Sequence, residues 1–337
     1  MPLTSEFSPA WWLRNPHAQT LWGKLFRQQE LQPTTIRRLE TPDDDFLEIH
    51  RLDIASPEAP RLLILHGLEG SVRSHYAQAL LAEAGARGWN ADLMLFRSCG
   101  NELNRARRLY HSGETTDLAL VLDTLINEAP RRPLLLAGVS LGGNVLLKFL
   151  GEQGENLPKT IKGAAAVSVP FDLSRSARHI NNGFSKLYQH YFIKSLRQKS
   201  FEKLKRYPDL VDAGRLGRIR TMNDFDNLVT APLHGFTDAE DYYEKSSSLR
   251  WLKTIRLDTL LLNAVDDPFL PPNVLEEVKT IARNNPALYL EFPLYGGHTG
   301  FVGGGNPLHP RYFAERRVGE FLAGQLRHSE ASLNTQP

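Results

Sequence analysis

The chain has 337 residues, 41% of them hydrophobic, and a formal net charge of +2. That length suits one to three domains with a large core, and the near-neutral balance gives no global argument for nucleic acid. The single cysteine, Cys99, excludes an intrachain disulfide and fits a reducing compartment.

The first residues, MPLTSEFSPAWWL, lack a basic segment followed by a long apolar run, so no signal peptide is expected. No apolar stretch approaches the roughly 20 residues of a membrane span. A cytoplasmic location is the expectation.

An irregular N-terminal arm, residues 1–33, precedes strands at Thr34–Glu40 and Phe46–Asp53, joined by the acidic turn Thr41–Asp45. Asp43, Asp44 and Asp45 read as a solvated hairpin turn in preference to a metal site. The chain then alternates. Leu62–His66 reads as a strand, Tyr76–Arg87 as a helix, Asp92–Phe96 as a strand and Thr115–Asn127 as a helix. Leu134–Ala137 (strand), Val145–Gly151 (helix) and Ile161–Val169 (strand) follow. Later come Thr259–Ala264 (strand), Val274–Ala282 (helix), Leu288–Phe292 (strand) and Arg311–Leu326 (helix). Short apolar strands alternating with helices predict a mainly parallel sheet covered on both faces, with the early hairpin as an antiparallel edge.

Residues 170–256 break the rhythm and are too long for a structureless loop. Phe184, Leu187, Tyr188, Tyr191, Phe192 and Leu196 follow helical spacing. The segment reads as a helical cap over the carboxyl ends of the strands, between core parts at 1–169 and 257–327. From Arg175 to Arg220 there are twelve Lys/Arg and three Asp/Glu, whereas Asp224 to Glu244 has acids and no Lys/Arg. A basic stripe of this kind could give weak peripheral membrane contact, or bind nucleic acid. The preferred reading is a solvated helical face partly balanced by the acids that follow, without nucleic acid as a partner.

Gly138-Val139-Ser140-Leu141-Gly142 lies between the strand Leu134–Ala137 and the helical run Val145–Leu150. In that context G-x-S-x-G predicts a sharp turn that lifts the Ser140 hydroxyl clear of the sheet. A serine needs a general base, and His298 is chosen, in the glycine-flanked loop Gly296-Gly297-His298-Thr299-Gly300. His66 reads as a structural turn residue, while His17, His111 and His234 are candidates for substrate contact. The imidazole needs a carboxylate partner. Asp267 is preferred and Asp266 is the alternative, because D-P-x-x-P fixes a rigid turn after a strand. The order serine, acid, histidine is that of an α/β-hydrolase. The N–H groups of Leu141 and Leu68 are the expected oxyanion donors, Gly67 permitting the turn that aims the latter. No H-E-x-x-H or paired Cys/His spacing supports a metal, and no cofactor is expected.

On these residues the chain resembles the YheT-like esterases, AB hydrolase family 4, a branch related to abhydrolase-domain lipases and medium-chain ethyl-ester esterases. The resemblance is carried by Asn15 to Trp22, His66 to Ser71, Phe96 to Gly100, Tyr110 to Thr115, Gly138 to Asn144, Asp266 to Phe269 and Gly297 to Phe301. It implies a serine carboxylic-ester hydrolase whose triad falls on Ser140, Asp267 and His298. The chain departs from the family's Arg-Gly at Arg97-Ser98, which could alter a nearby turn. The expected reaction goes through an acyl-enzyme on an apolar ester of short to medium chain. The alternatives are acyl transfer to an alcohol by the same triad, and a non-catalytic binding protein on this scaffold.

Overall fold

Runs such as Leu62–Leu65 and Leu134–Leu136 are apolar at every position, so both faces of these strands must be covered. The computed structural model describes residues 5–27 and 30–334 and shows how this is met. Eight strands form one sheet: β1 (Thr35–Thr41), β2 (Asp45–Leu52), β3 (Arg61–Leu65), β4 (Asn90–Leu95), β5 (Leu134–Val139), β6 (Ile161–Val167), β7 (Thr259–Leu262) and β8 (Leu288–Glu291). Their spatial order is β1-β2-β4-β3-β5-β6-β7-β8. The pairings β1–β2 and β2–β4 are antiparallel and the rest are parallel, so the early hairpin is the antiparallel edge. The chain therefore has the α/β-hydrolase architecture.

Successive side chains of one strand serve opposite cores. Leu63 and Leu65 join Leu118, Leu146 and Val278 on one face, whereas Leu62 and Ile64 join Leu80, Val318 and Leu322 on the other. The first core is covered by α3 (Thr116–Glu128), α4 (Leu141–Gln153) and α11 (Pro272–Ala282). The second is covered by α2 (His75–Ala86) and α12 (Phe313–Asn334). Arg311 and Tyr312, expected to open that last helix, instead form β10 and pair with β9 (Val302–Gly303).

Three readings need correction. The N-terminal arm is not irregular throughout: it contains α1 (Pro16–Phe26), started by Asn15, whose side chain accepts from the His17 and Ala18 N–H groups, with Pro16 in the first turn. The aspartate turn is not simply solvated. Asp45 is buried, and Asp43, Asp45 and Asp117 all bind the buried Arg97 guanidinium at 2.6–3.1 Å. Asp43 and Asp44 are both exposed, Asp43 while paired to Arg97 and Arg108, and Asp45 is the aspartate of the turn that is buried. Next to Arg97, Ser98 adopts φ +64°, the left-handed region where glycine fits without strain.

Between β6 and β7 lie α5 (Leu173–His179), α6 (Lys186–Arg206), α7 (Ala213–Arg218), α8 (Met222–Phe225), α9 (Ala231–His234) and α10 (Ala239–Ser246). A π-helical turn, Asp226–Thr230, joins α8 to α9. These helices share a small core of their own, with Ile193, Leu196, Leu216, Phe225 and Val229. The basic stripe is not one solvated face. Lys203 is buried and donates to the Asn104 carbonyl at 2.6 Å, and Lys199 pairs with Glu69 at 2.9 Å. Arg178 does reach the acidic segment, at Glu240. Among the described residues no helix is long and apolar enough to cross a membrane.

Candidate active site

The site is built at the carboxyl ends of the parallel strands. Ser140 is the hinge between β5 and α4, at φ +53° and ψ −120°, and its N–H donates to the Val167 carbonyl at 2.8 Å. Two close approaches explain the glycines around it. A Cβ on Gly138 would lie 2.5 Å from the Gly142 carbonyl oxygen, and one on Gly142 would lie 2.5 Å from the carbonyl oxygens of Leu65 and His66. Only glycine lets strand and helix pass at these distances. The hydroxyl consequently stands half-exposed at the N-terminus of α4, where backbone N–H groups favour negative charge.

Ser140, His298 and Asp267 are brought together. His298 Nε2 lies 2.9 Å from Ser140 Oγ, and His298 Nδ1 lies 2.8 Å from Asp267 Oδ2 and 3.1 Å from Oδ1. With Nδ1–H facing the carboxylate, Nε2 is left as the acceptor for the serine hydroxyl. His298 and Asp267 are both buried, and the Phe269 ring stacks on the imidazole with centroids 4.0 Å apart. Asp267 also accepts the Phe269 N–H at 2.8 Å, which fixes its plane. Asp266 turns the other way. Its Oδ1 accepts the Gly297 N–H at 2.9 Å, and burial together with the Asp267 charge raises its pKa to about 6.

The histidine loop leans on α1. The His298 N–H donates to Thr20 Oγ1 at 2.9 Å, and the Gly297 backbone approaches the Pro16 carbonyl too closely for a side chain. Fully buried Gln19 donates to the Leu13 and Val302 carbonyls and accepts from the Val302 N–H. On the loop's other flank, Ser168 Oγ accepts the Thr299 N–H at 2.9 Å. The residue reading did not single out Thr20, Gln19 or Ser168 as supports. The Asn15-Pro16 pair, a helix-start signal, was the clue to the first two.

Leu68 follows β3, in a loop whose neighbouring N–H groups are all engaged. Those of Gly67 and Glu69 donate to the Tyr76 and Tyr110 hydroxyls at 2.9 Å, and that of Gly70 donates to the Gly67 carbonyl. His66 stiffens the same turn, with Nδ1 against the Gly67 carbonyl at 2.7 Å and Nε2 accepting the Phe96 N–H. Burial lowers its pKa to about 4, so it is a neutral structural imidazole, as the sequence suggests. Glu69, at φ +54°, accepts from Tyr110 Oη and Lys199 Nζ and from the Ser195 hydroxyl, the last two on cap helix α6.

Two cavities meet at Ser140 and His298. One, of about 120 Å³, runs under the cap among Leu173, Ile180, Leu196, Met222 and Phe225. The other, of about 590 Å³, opens between α1 and α6. His17 contacts Tyr188 beside that opening, at 3.3 Å from the hydroxyl. His111 and His234 instead lie against each other, tilted by 59° with centroids 4.4 Å apart, and line neither cavity. With Glu114 they form a group that could reach one metal ion, but that carboxylate is already engaged by Arg108 and Thr116.

Residues 60–304 match the family model described as the alpha/beta hydrolase fold. The chain is 38% identical to "Putative esterase YheT" of Escherichia coli (strain K12), over 96% of this chain and 94% of that protein. It is 31% identical to a monoacylglycerol lipase of Saccharomyces cerevisiae, over 77% of this chain and 58% of that protein. Against phospholipase ABHD3 of Bos taurus the identity is 26%, over 97% and 80% respectively. Among solved structures, the Pyrococcus furiosus esterase Pf2001 superposes with a TM-score of 0.55 at 17% identity, covering 96% of this chain and 98% of that one.

Proposed function

The chain belongs to the α/β-hydrolase fold family, and on that premise we propose that it is a serine carboxylic-ester hydrolase working through an acyl-enzyme. The observation that carries the reading is the continuous relay from Ser140 Oγ through the His298 ring to Asp267, with contacts of 2.9 and 2.8 Å. His298 takes the serine proton as Oγ attacks the ester carbonyl. It then returns that proton to the departing alcohol, and water repeats the sequence to free the acid. Asp267 holds the tautomer and offsets the imidazolium charge. The N–H groups of Leu141 and Leu68 receive the oxyanion.

The narrow apolar cavity under the cap suits the acyl group, of short to medium length, because its walls offer packing and few polar partners. The wider cavity then receives the alcohol. Relatives named as an esterase, a lipase and a phospholipase support ester hydrolysis as the reaction class.

A fluorophosphonate probe tests the nucleophile. It should label Ser140 in the folded protein, and Ser140→Ala should lose both labelling and p-nitrophenyl ester hydrolysis while melting normally. Retained hydrolysis by that variant refutes the assignment.

A further inference from the structure

Exposed apolar side chains cluster on the described surface. Thirteen large hydrophobic residues are exposed, and five of them, Leu25, Leu31, Phe184, Leu187 and Tyr191, line the cavity of about 590 Å³ that reaches Ser140 and His298. Phe26, 62% exposed, stands beside Leu25 at the end of α1. The five come from α1, the segment after it, the turn before α6 (Phe184) and the start of α6, so the fold, not one stretch of sequence, assembles this lip. An apolar concentration of this kind marks a face that meets a partner.

Charge selects the partner. Residues 16–26, 70–76 and 183–201, which carry most of the lip, contain no Asp or Glu, while Glu30 is exposed beside Leu31. They do contain Lys24, Arg73, Lys186 and Lys194, all exposed. Lys24 Nζ sits 3.4 Å from the centroid of the Tyr191 ring, so cation and apolar body share the same edge. A second copy packed here by a twofold axis would set the four exposed cations of one copy against those of the other, and Glu30 offsets only part of that charge. Apolar side chains interleaved with an excess of cations are the composition of elements that lie at an anionic bilayer surface.

We propose that this lip docks on an anionic lipid surface, with the cavity mouth facing the membrane, so that a lipid ester passes from the bilayer to Ser140 without crossing bulk water. The delivery step rests on the ester-hydrolase reading, whereas the docking does not.

Flotation of the full chain with vesicles tests it. Vesicles of phosphatidylcholine mixed with phosphatidylglycerol should carry about tenfold more protein than phosphatidylcholine alone, and added salt should erase the difference. Phe26→Asp and Lys194→Glu, neither of which lines the cavity, should each lower recovery on the mixed vesicles by roughly fivefold or more. Both should hydrolyse soluble p-nitrophenyl acetate at the parental rate, which reports an intact fold. Absence of flotation, or equal flotation of parent and variants, overturns the proposal. So does a stable dimer that Phe26→Asp dissociates, because a second copy would then cover the lip. A parent that floats but cleaves no ester keeps the docking and removes the hydrolase reading.

Discussion

The two loops that meet at Ser140 are steadied from different parts of the molecule. The His298 loop rests on the N-terminal helix, through Thr20, Gln19 and the close approach at Gly297. The Leu68 loop is tied to the cap, through Glu69 and its bonds to Ser195 and Lys199 of α6. The first brace is made of neutral hydrogen bonds to backbone, and the second of a nearly buried ion pair. The sheet brings Ser140, His298 and Asp267 to one edge. Segments outside the sheet then set their aim.

Cutting the carboxylate from the histidine side should do the most damage. Asp267→Asn should lower kcat by about 10⁴-fold in steady-state assays, because the wrong tautomer is then favoured. Asp266→Asn, whose amide oxygen can still accept the Gly297 N–H, should stay within roughly tenfold of the parent, so similar losses from both would erase the distinction drawn between them.

Removing the α1 brace comes next. Gln19→Leu strands the Leu13 and Val302 backbone groups and should cost roughly 2–3 kcal/mol in urea unfolding. An unchanged midpoint would mean that α1 contributes little to holding the histidine loop.

The two sides should also answer oppositely to pH. On the α1 side His75 is pushed down to about 4 by burial, reinforced by Arg27 and Lys24, so its neutral form is favoured on folding. The stability this group contributes is present above 6.5 and lost as pH falls from 6.5 to about 4. On the cap side Asp226 is pushed up to about 6 by burial, against the hydrogen bonds from Thr230 and Tyr243. Its contribution is lost as pH rises from 3.8 to about 6. His75→Asn and Asp226→Asn should therefore change the slope of stability against pH in opposite senses, each by roughly 2–3 kcal/mol across its window. Denaturant titrations of variant against parent read the difference, which cancels the shared effect of His66, His111 and His234.

The smallest expected effect is on the cap brace. Glu69→Gln keeps the hydrogen-bond shape but leaves Lys199 without its counter-charge, and kcat on a soluble ester should fall by about tenfold with KM little changed. A change in KM alone would make Glu69 a pocket residue instead of a support for the Leu68 loop.

The sheet was legible because its strands are apolar on both faces, a pattern few other elements share. The G-x-S-x-G turn was legible because close passage of strand and helix admits only glycine, and the D-P-x-x-P pattern pointed to the carboxylate that faces the imidazole. Helix α1 escaped because its buried positions are Gln19 and Gly23, which leave no apolar periodicity. Asp45 looked like a solvent group because its partner, Arg97, lies more than fifty residues away in the chain. Lys203 looked like surface charge because the carbonyls that satisfy it belong to a distant loop. Polar burial depends on long-range partners, and local patterning cannot display them.

The backbone angle of residue 140 carries a last implication. At φ +53° any side chain is strained, and glycine alone would relax there, by about 1 kcal/mol. Ser140→Gly should therefore melt above the parent while turning nothing over. Drift toward a sturdier, inert protein is downhill at this position, and only selection for chemistry keeps an oxygen on that bend.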